Sequence, residues 1–185
     1  MTTWIALGAA ALVLLYAISS YNRLVRLRNE SEQGASSIDV QLKRRADLIP
    51  NLVESVKGYA AHESATFEAV SAARTATLTA TSVAARAAAD GLMQSAITGL
   101  LGIAEAYPQL RAAESFTALQ AELADTEDRI AAARRYYNTV VRNLNTAIQS
   151  VPTNIVATLG KFVTAPFYRL EDDADREPVV VRLTA

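Results

Sequence analysis

The sequence predicts an all-α protein whose first helix crosses a membrane. Three observations predict it. Apolar residues make up 51% of the chain, yet aromatics are only 6%, so that share rests on alanine and other helix formers rather than on strand-favouring side chains. Gly and Pro number only 7 and 5, which leaves few breaks. No charged side chain precedes Arg23. At 185 residues the chain is long enough for one domain with a proper core and short for two.

The first element is the apolar run from Thr3 to Ser20, TWIALGAAALVLLYAISS. At about 1.5 Å per residue it matches a bilayer core of about 30 Å. Trp4 lies near one end and Tyr16 and Tyr21 near the other, where interfacial aromatics belong. A cleaved signal peptide is the competing reading, with Ala17-Ile18-Ser19 as a small-residue site, but the basic segment that normally precedes such a run is missing. Arg23, Arg26 and Arg28 follow at once, so the bias of basic residues puts the N-terminus outside and the rest in the cytoplasm. These arginines also lie within reach of anionic headgroups; orientation and anchoring explain them more simply than a dedicated lipid site does. Residues 1–22 are therefore read as an anchor and 23–170 as a helical body. Residues 171–185 form an acidic, partly extended tail.

Within the body, Leu24, Leu27, Ile38 and Leu42 predict a helix running toward Ala46, weakest around Gly34. Asp47 can cap a new helix with Pro50 in its first turn, so a turn or kink is expected near Asp47. Lys43, Arg44 and Arg45 would then complement the negative end of the preceding helix, or form a polar partner surface. Ile49, Val53, Val56, Ala60, Phe67 and Val70 define the next helix, which enters an Ala/Thr-rich stretch from Ala72 to Ala89. Small side chains there allow a pliable joint or a tight crossing. Asp90-Gly91 is expected to interrupt the run, and Met93, Ile97, Leu100, Leu101 and Ala104 stripe a third helix up to Tyr107-Pro108. The strongest pattern follows: Phe116, Leu119, Leu123, Thr126, Ile130, Ala133, Tyr137, Val140, Leu144, Ala147 and Val151 alternate by three and four, as one face of a helix about 50 Å long requires. That stripe pairs within the chain's own body or, as the alternative, with another chain. Thr153 caps a short helix ending at Gly160, with Phe162, Phe167 and Tyr168 as a packing patch beyond it. Val179, Val180 and Val181 either lie extended on the body or stay unstructured.

The residues offer little to chemistry. Cysteine is absent and His62 is the single histidine, so nucleophile–base pairs and histidine-rich metal sites lack their parts. His62 reads as a surface residue, and its neighbour Glu63 as a partner for Arg134 or Arg135 or as an end residue. Gly99-Leu100-Leu101-Gly102 has neither the lysine nor the preceding strand of a phosphate loop. A net charge of −1 provides no global field for nucleic acid. The expectation is a protein that is not an enzyme and takes no cofactor, metal or small-molecule substrate.

Three stretches together resemble the LemA family: Tyr21 to Arg28 (YNRLVRLR), Ile38 to Glu63 (IDVQLKRRADLIPNLVESVKGYAAHE), and Tyr107 to Thr146 leading into Pro152-Thr153-Asn154. The resemblance covers nearly the whole chain in the right order. It implies a bacterial protein with a single N-terminal anchor and an antiparallel four-helix bundle of up-and-down, bromodomain-like topology. It implies little about activity, since the family is chiefly known as membrane proteins of unclear biochemical role; a protein of magnetosome membranes is among its members. This chain departs from the family's pattern at Ser31 and Ala35, where bulkier or aromatic residues are usual, which implies a groove or a tighter neighbour around Gly34. The expected function is a scaffold or interaction module at the cytoplasmic face. Its partners would be membrane lipids, further copies of itself or another membrane protein. The alternatives are a polymer that remodels membranes and an adaptor of a membrane protease or transporter.

Overall fold

The computed structural model describes residues 1–60 and 62–169, and within them every regular element is helical. The acidic tail lies outside the described residues. Six helices follow in order: α1 (Thr2–Lys57), α2 (Ser64–Thr79), α3 (Val83–Glu105), α4 (Pro108–Arg111), α5 (Glu114–Gln149) and α6 (Thr153–Leu159).

Helix α1 runs unbroken for 56 residues, from the apolar N-terminus into the heart of the body. The turn and fresh helix start expected near Asp47 do not occur, and Asp47 is an exposed mid-helix residue rather than a cap. The reason is a partner on α2. Pro50 cannot donate to the carbonyl of Ala46, four residues back, and an orphaned carbonyl on a fully buried residue is costly. The Arg74 guanidinium of α2 donates Nε to that oxygen at 2.9 Å and replaces the missing bond from outside the helix.

Two other boundaries differ from expectation. The chain first turns at Gly58, after Lys57, so Ile49 to Val56 belong to α1 while Phe67 and Val70 belong to α2. The Ala/Thr-rich stretch contains the next turn, at Ala80 to Ser82, where the Ser82 hydroxyl caps α3 by accepting from the Ala85 amide at 3.1 Å. Helix α3 then passes straight through Asp90-Gly91, because Asp90 is buried and bonded rather than competing for its own backbone.

The core is stacked along α1. Farthest from the N-terminus, Ile49, Leu52 and Val56 pack with Phe67, Val70, Met93, Ile97, Leu100 and Phe116. In the middle, Ile38 and Leu42 meet Ala87, Ile130, Tyr137, Val141 and Tyr168. Nearest the N-terminus, Leu24 meets Leu144, Ala147 and Ala157. Residue numbers rise along α5 as they fall along α1, so the two helices are antiparallel, and α2 with α3 flanks their far half. The long stripe of α5 packs within the chain: its residues from Phe116 to Ala147 are buried or half-buried, while Val151 lies past the helix end and is exposed.

The near half is closed by the segment after α6. Asn145 Nδ2 donates to the carbonyl of Ala165 and its Oδ1 accepts from the Ala165 amide, both at 2.9 Å. Asn138 holds Tyr168 in the same two-bond manner, also at 2.9 Å. Seven residues of helix and three of extended chain both cover about 10 Å, so the two amides meet matching backbone positions. Tyr137 Oη adds a bond to the Pro166 carbonyl at 2.8 Å.

Around Gly34 the expectation of a groove or a tighter neighbour is met on both counts. A side chain at Gly34 would lie 3.3 Å from the Tyr137 backbone, so α1 and α5 approach closely there. Beside it, Ser31, Ala35, Tyr137 and the segment Phe162–Pro166 line a cavity of about 490 Å³. Thr153 is the first residue of α6 rather than its cap, and Gly160 ends it at φ −80°; the positive φ of 54° falls on Lys161 instead. Gly160 is required for space, since a Cβ there would sit 2.7 Å from the Phe162 ring.

Candidate functional site

Two features stand out: a bare apolar rod at the N-terminus and a buried ion cluster in the body. The rod is the N-terminal part of α1, where an 18-residue window suited by length and composition to cross a membrane has none of its residues buried. Ile5, Leu7, Leu12, Val13, Leu14, Leu15 and Ile18 all project freely. Helix α3 is also long and apolar enough to cross a membrane, but its Met93, Ile97 and Leu100 are buried in the core.

The predicted interface residues fall at the two ends of this rod. Trp4 is exposed near its start. Tyr16 bonds through its hydroxyl to Thr153 Oγ1 at 3.1 Å, and Tyr21 meets Phe162 edge-on with centroids 5.5 Å apart. Arg23, Arg26 and Arg28 are exposed, and at 100° per residue they fan around the helix. Arg28 pairs with Glu32 at 3.1 Å on the surface.

The basic run Lys43-Arg44-Arg45 divides. Lys43 is exposed beside a depression shared with Asp39, Leu78 and Arg86. Arg44 reaches Glu122 at 3.3 Å, a surface pair. Arg45 is no part of a partner surface: its side chain is 0% exposed, because α1 continues past it and turns it toward α3 and α5. Its Nη2 donates to Asp90 Oδ1 at 2.7 Å and its Nη1 to Glu127 Oε1 at 2.8 Å. Asp90 Oδ2 accepts from Tyr168 Oη at 2.8 Å and lies 3.5 Å from Arg134 Nη1. Two guanidinium groups therefore face two carboxylates, and the charges balance where α1, α3, α5 and the C-terminal segment converge.

Burial, together with the Asp90 carboxylate, pushes the Tyr168 hydroxyl well above its ordinary range, and burial also raises Tyr137. At the rim, Arg86 pairs with Asp39 at 2.6 Å, yet burial leaves the Asp39 carboxyl above its usual range. The Asp90 and Glu127 carboxylates and the Tyr168 hydroxyl each have a partner, while Arg45 Nε and Arg134 Nε are buried without one, and the cluster ties α1, α3, α5 and the C-terminal segment together. Glu63, expected near Arg134 or Arg135, instead sits exposed at the start of α2, and His62 beside it is exposed as expected. Among the described residues no group of three or more His, Asp or Glu side chains is placed to hold a metal ion.

Sequence reasoning missed Asp90, Glu127 and Tyr168 as partners of Arg45, and Asn138 and Asn145 as clamps. The asparagines did carry a signal, two amides at a heptad interval beside the apolar stripe. Asp90 was hidden by the glycine after it, which made the pair look like a turn.

The chain is similar in sequence to several known proteins. The chain is 25% identical to the magnetosome protein MamQ 2 of Paramagnetospirillum magneticum, across 86% of this chain and 68% of that one. The magnetosome protein MamQ of Magnetospirillum gryphiswaldense is similar to the same extent, 25% across 86% of this chain and 68% of its own. Protein LemA of Metamycoplasma hominis is 30% identical over 140 residues, which cover 74% of this chain and 63% of that protein. The LemA family model matches residues 34–183, taking in α1 from Gly34 onward, all the remaining helices and most of the acidic tail, and the chain belongs to the LemA family.

Proposed function

We propose that this chain is a membrane-anchored interaction module that works by presenting a rigid helical body at the bilayer surface and transforms no substrate. The observation that carries the reading is the continuity of α1. The same helix is bare and apolar over its first five turns and becomes the spine of the packed body without a linker. An exposed apolar surface of that size is not sustained in water and calls for lipid. The likeness to proteins of a magnetosome favours a membrane setting by analogy. In this reading α1, α2, α3 and α5 form an up-and-down four-helix bundle, Arg23, Arg26 and Arg28 hold the body on the cytoplasmic side, and the N-terminus lies outside.

Confinement to a plane raises the effective concentration of the bodies, so weak contacts between copies or with another membrane protein suffice for assembly. Because the α5 stripe is used inside the chain, such contacts fall on other surfaces, with Lys43 and Arg44 among the exposed groups available.

The test is reconstitution of the full chain into lipid nanodiscs and liposomes. Carbonate-resistant membrane association, protection of the N-terminus but not the body in oriented vesicles, and mass photometry showing more than one copy per disc are the expected results. Release by carbonate, or a water-soluble monomer, would refute the anchor; a single copy per disc with no captured membrane protein would refute the assembly role.

A further inference from the structure

We infer that α6 and the turns on either side of it form a second membrane contact, a shallow wedge that embeds in the leaflet beside the anchor; this rests on the anchor reading above. Val151, Ile155, Leu159 and Val163 recur every four residues and are 79%, 59%, 80% and 79% exposed. Beyond Tyr21, no other large apolar side chain among the described residues is as exposed as Val151, Leu159 or Val163. The opposite side of α6 is spent on α1: Ala157 is buried with Leu24, and Thr153 is bonded to Tyr16. The apolar side chains that remain face outward from an already packed element, so the interior of this chain does not cover them.

The position of α6 along α1 selects the occupant. Thr153 sits against Tyr16 and Gly160 against Tyr21, so α6 lies alongside the last turns of the apolar rod. Arg23 follows Tyr16 by seven residues, about 10 Å of helix, which is the depth of an interfacial element resting between headgroups and acyl chains. An anchor that spans a bilayer therefore carries α6 into the edge of that bilayer. An open apolar groove of about 360 Å³ between Ala17, Ile18, Tyr21, Val156 and Leu159 gives an acyl chain a place to lie.

Charge agrees. No Asp or Glu precedes Glu30, and none occurs from Arg129 to Arg169, whereas Arg23, Arg26, Arg28, Arg142 and Lys161 all belong to this end of the molecule. A surface of apolar points beside these basic groups, with Glu32 paired to Arg28 as the neighbouring acid, fits a bilayer carrying anionic lipid.

The chain has no cysteine, so single-cysteine variants report one position each. Leu159→Cys, Val163→Cys, Leu12→Cys and Leu92→Cys, labelled with an environment-sensitive fluorophore, are reconstituted as full chains in vesicles of zwitterionic and anionic phospholipid. Quenching is read with lipids bearing a nitroxide near the glycerol backbone, with lipids bearing it near the acyl terminus, and with aqueous iodide. The expected result is that positions 159 and 163 are quenched about threefold or more better by the shallow nitroxide than by iodide, position 12 by the deep nitroxide, and position 92 by iodide. If 159 and 163 respond to iodide as 92 does while 12 stays deep, the wedge is overturned and the anchor stands. If 159 and 163 are shielded from both lipid and water, a protein covers the stripe and the wedge is likewise overturned. If iodide reaches 12, the anchor reading fails and the wedge with it.

Discussion

Replacing Arg45 by methionine tests the buried cluster directly. Methionine keeps most of the aliphatic volume and removes the charge, so packing loss is small and the electrostatic consequence dominates. Asp90 would lose its 2.7 Å partner while remaining buried. Removing one member of a buried pair costs about 3–5 kcal/mol because the other charge is left without compensation. Two groups stay on Asp90, the Tyr168 hydroxyl at 2.8 Å and Arg134 at 3.5 Å, so the lower end is expected, about 3 kcal/mol. For a chain of this size that is a fall in melting temperature of about 6–12 °C. Urea unfolding of the full chain in detergent, followed by circular dichroism, measures it. Adding Asp90→Asn to Arg45→Met should recover at least about 1 kcal/mol, since the stranded charge is then gone. A single variant within about 1 kcal/mol of the parent chain, or strict additivity of the two changes, would refute the view that the pair interlocks α1 and α3.

Arg74→Ala should cost about 1–3 kcal/mol by orphaning the buried Ala46 carbonyl, and Pro50→Ala should rescue it by restoring the helix's own donor; urea melts of both variants and the double decide it. Asn138→Ala and Asn145→Ala should each cost about 1–3 kcal/mol and raise amide exchange specifically at Tyr168 and at Ala165, respectively. Tyr168 and Tyr137 have raised hydroxyls, so they stabilise the fold fully below the ordinary tyrosine pKa and lose that contribution as pH climbs above it, when the unfolded chain releases protons that the folded chain retains. Stability should therefore fall above pH about 10 by up to about 1.4 kcal/mol per pH unit per tyrosine, and Tyr168→Phe should flatten that slope while costing about 1–3 kcal/mol at neutral pH.

What the sequence made legible was set by periodicity. The α5 stripe and the apolar rod follow from spacing that one helix imposes on its own residues. Long-range partners broke the local rules. Pro50 reads as a boundary unless Arg74 is known to lie beside Ala46, twenty-eight residues away in sequence. Asp90-Gly91 reads as a turn unless Arg45 and Tyr168 are already in place to hold the carboxylate. Arg45 looks like a surface cation beside Lys43 and Arg44 because the direction of a side chain depends on where its helix ends, and that end was displaced by the same proline. The wedge was invisible for a related reason: Val151, Ile155, Leu159 and Val163 look like ordinary core candidates until the elements that could cover them are seen packed elsewhere.

Because one helix serves as both spindle and spine, the body has no joint at which to absorb movement of the lipid. From Arg23 to Lys57 α1 extends about 50 Å, so a lean of only about ten degrees in the bilayer would sweep its far end sideways by nearly 9 Å, roughly a helix diameter. In the anchored reading proposed above, changes in bilayer thickness or curvature would thus reach the outer tip amplified.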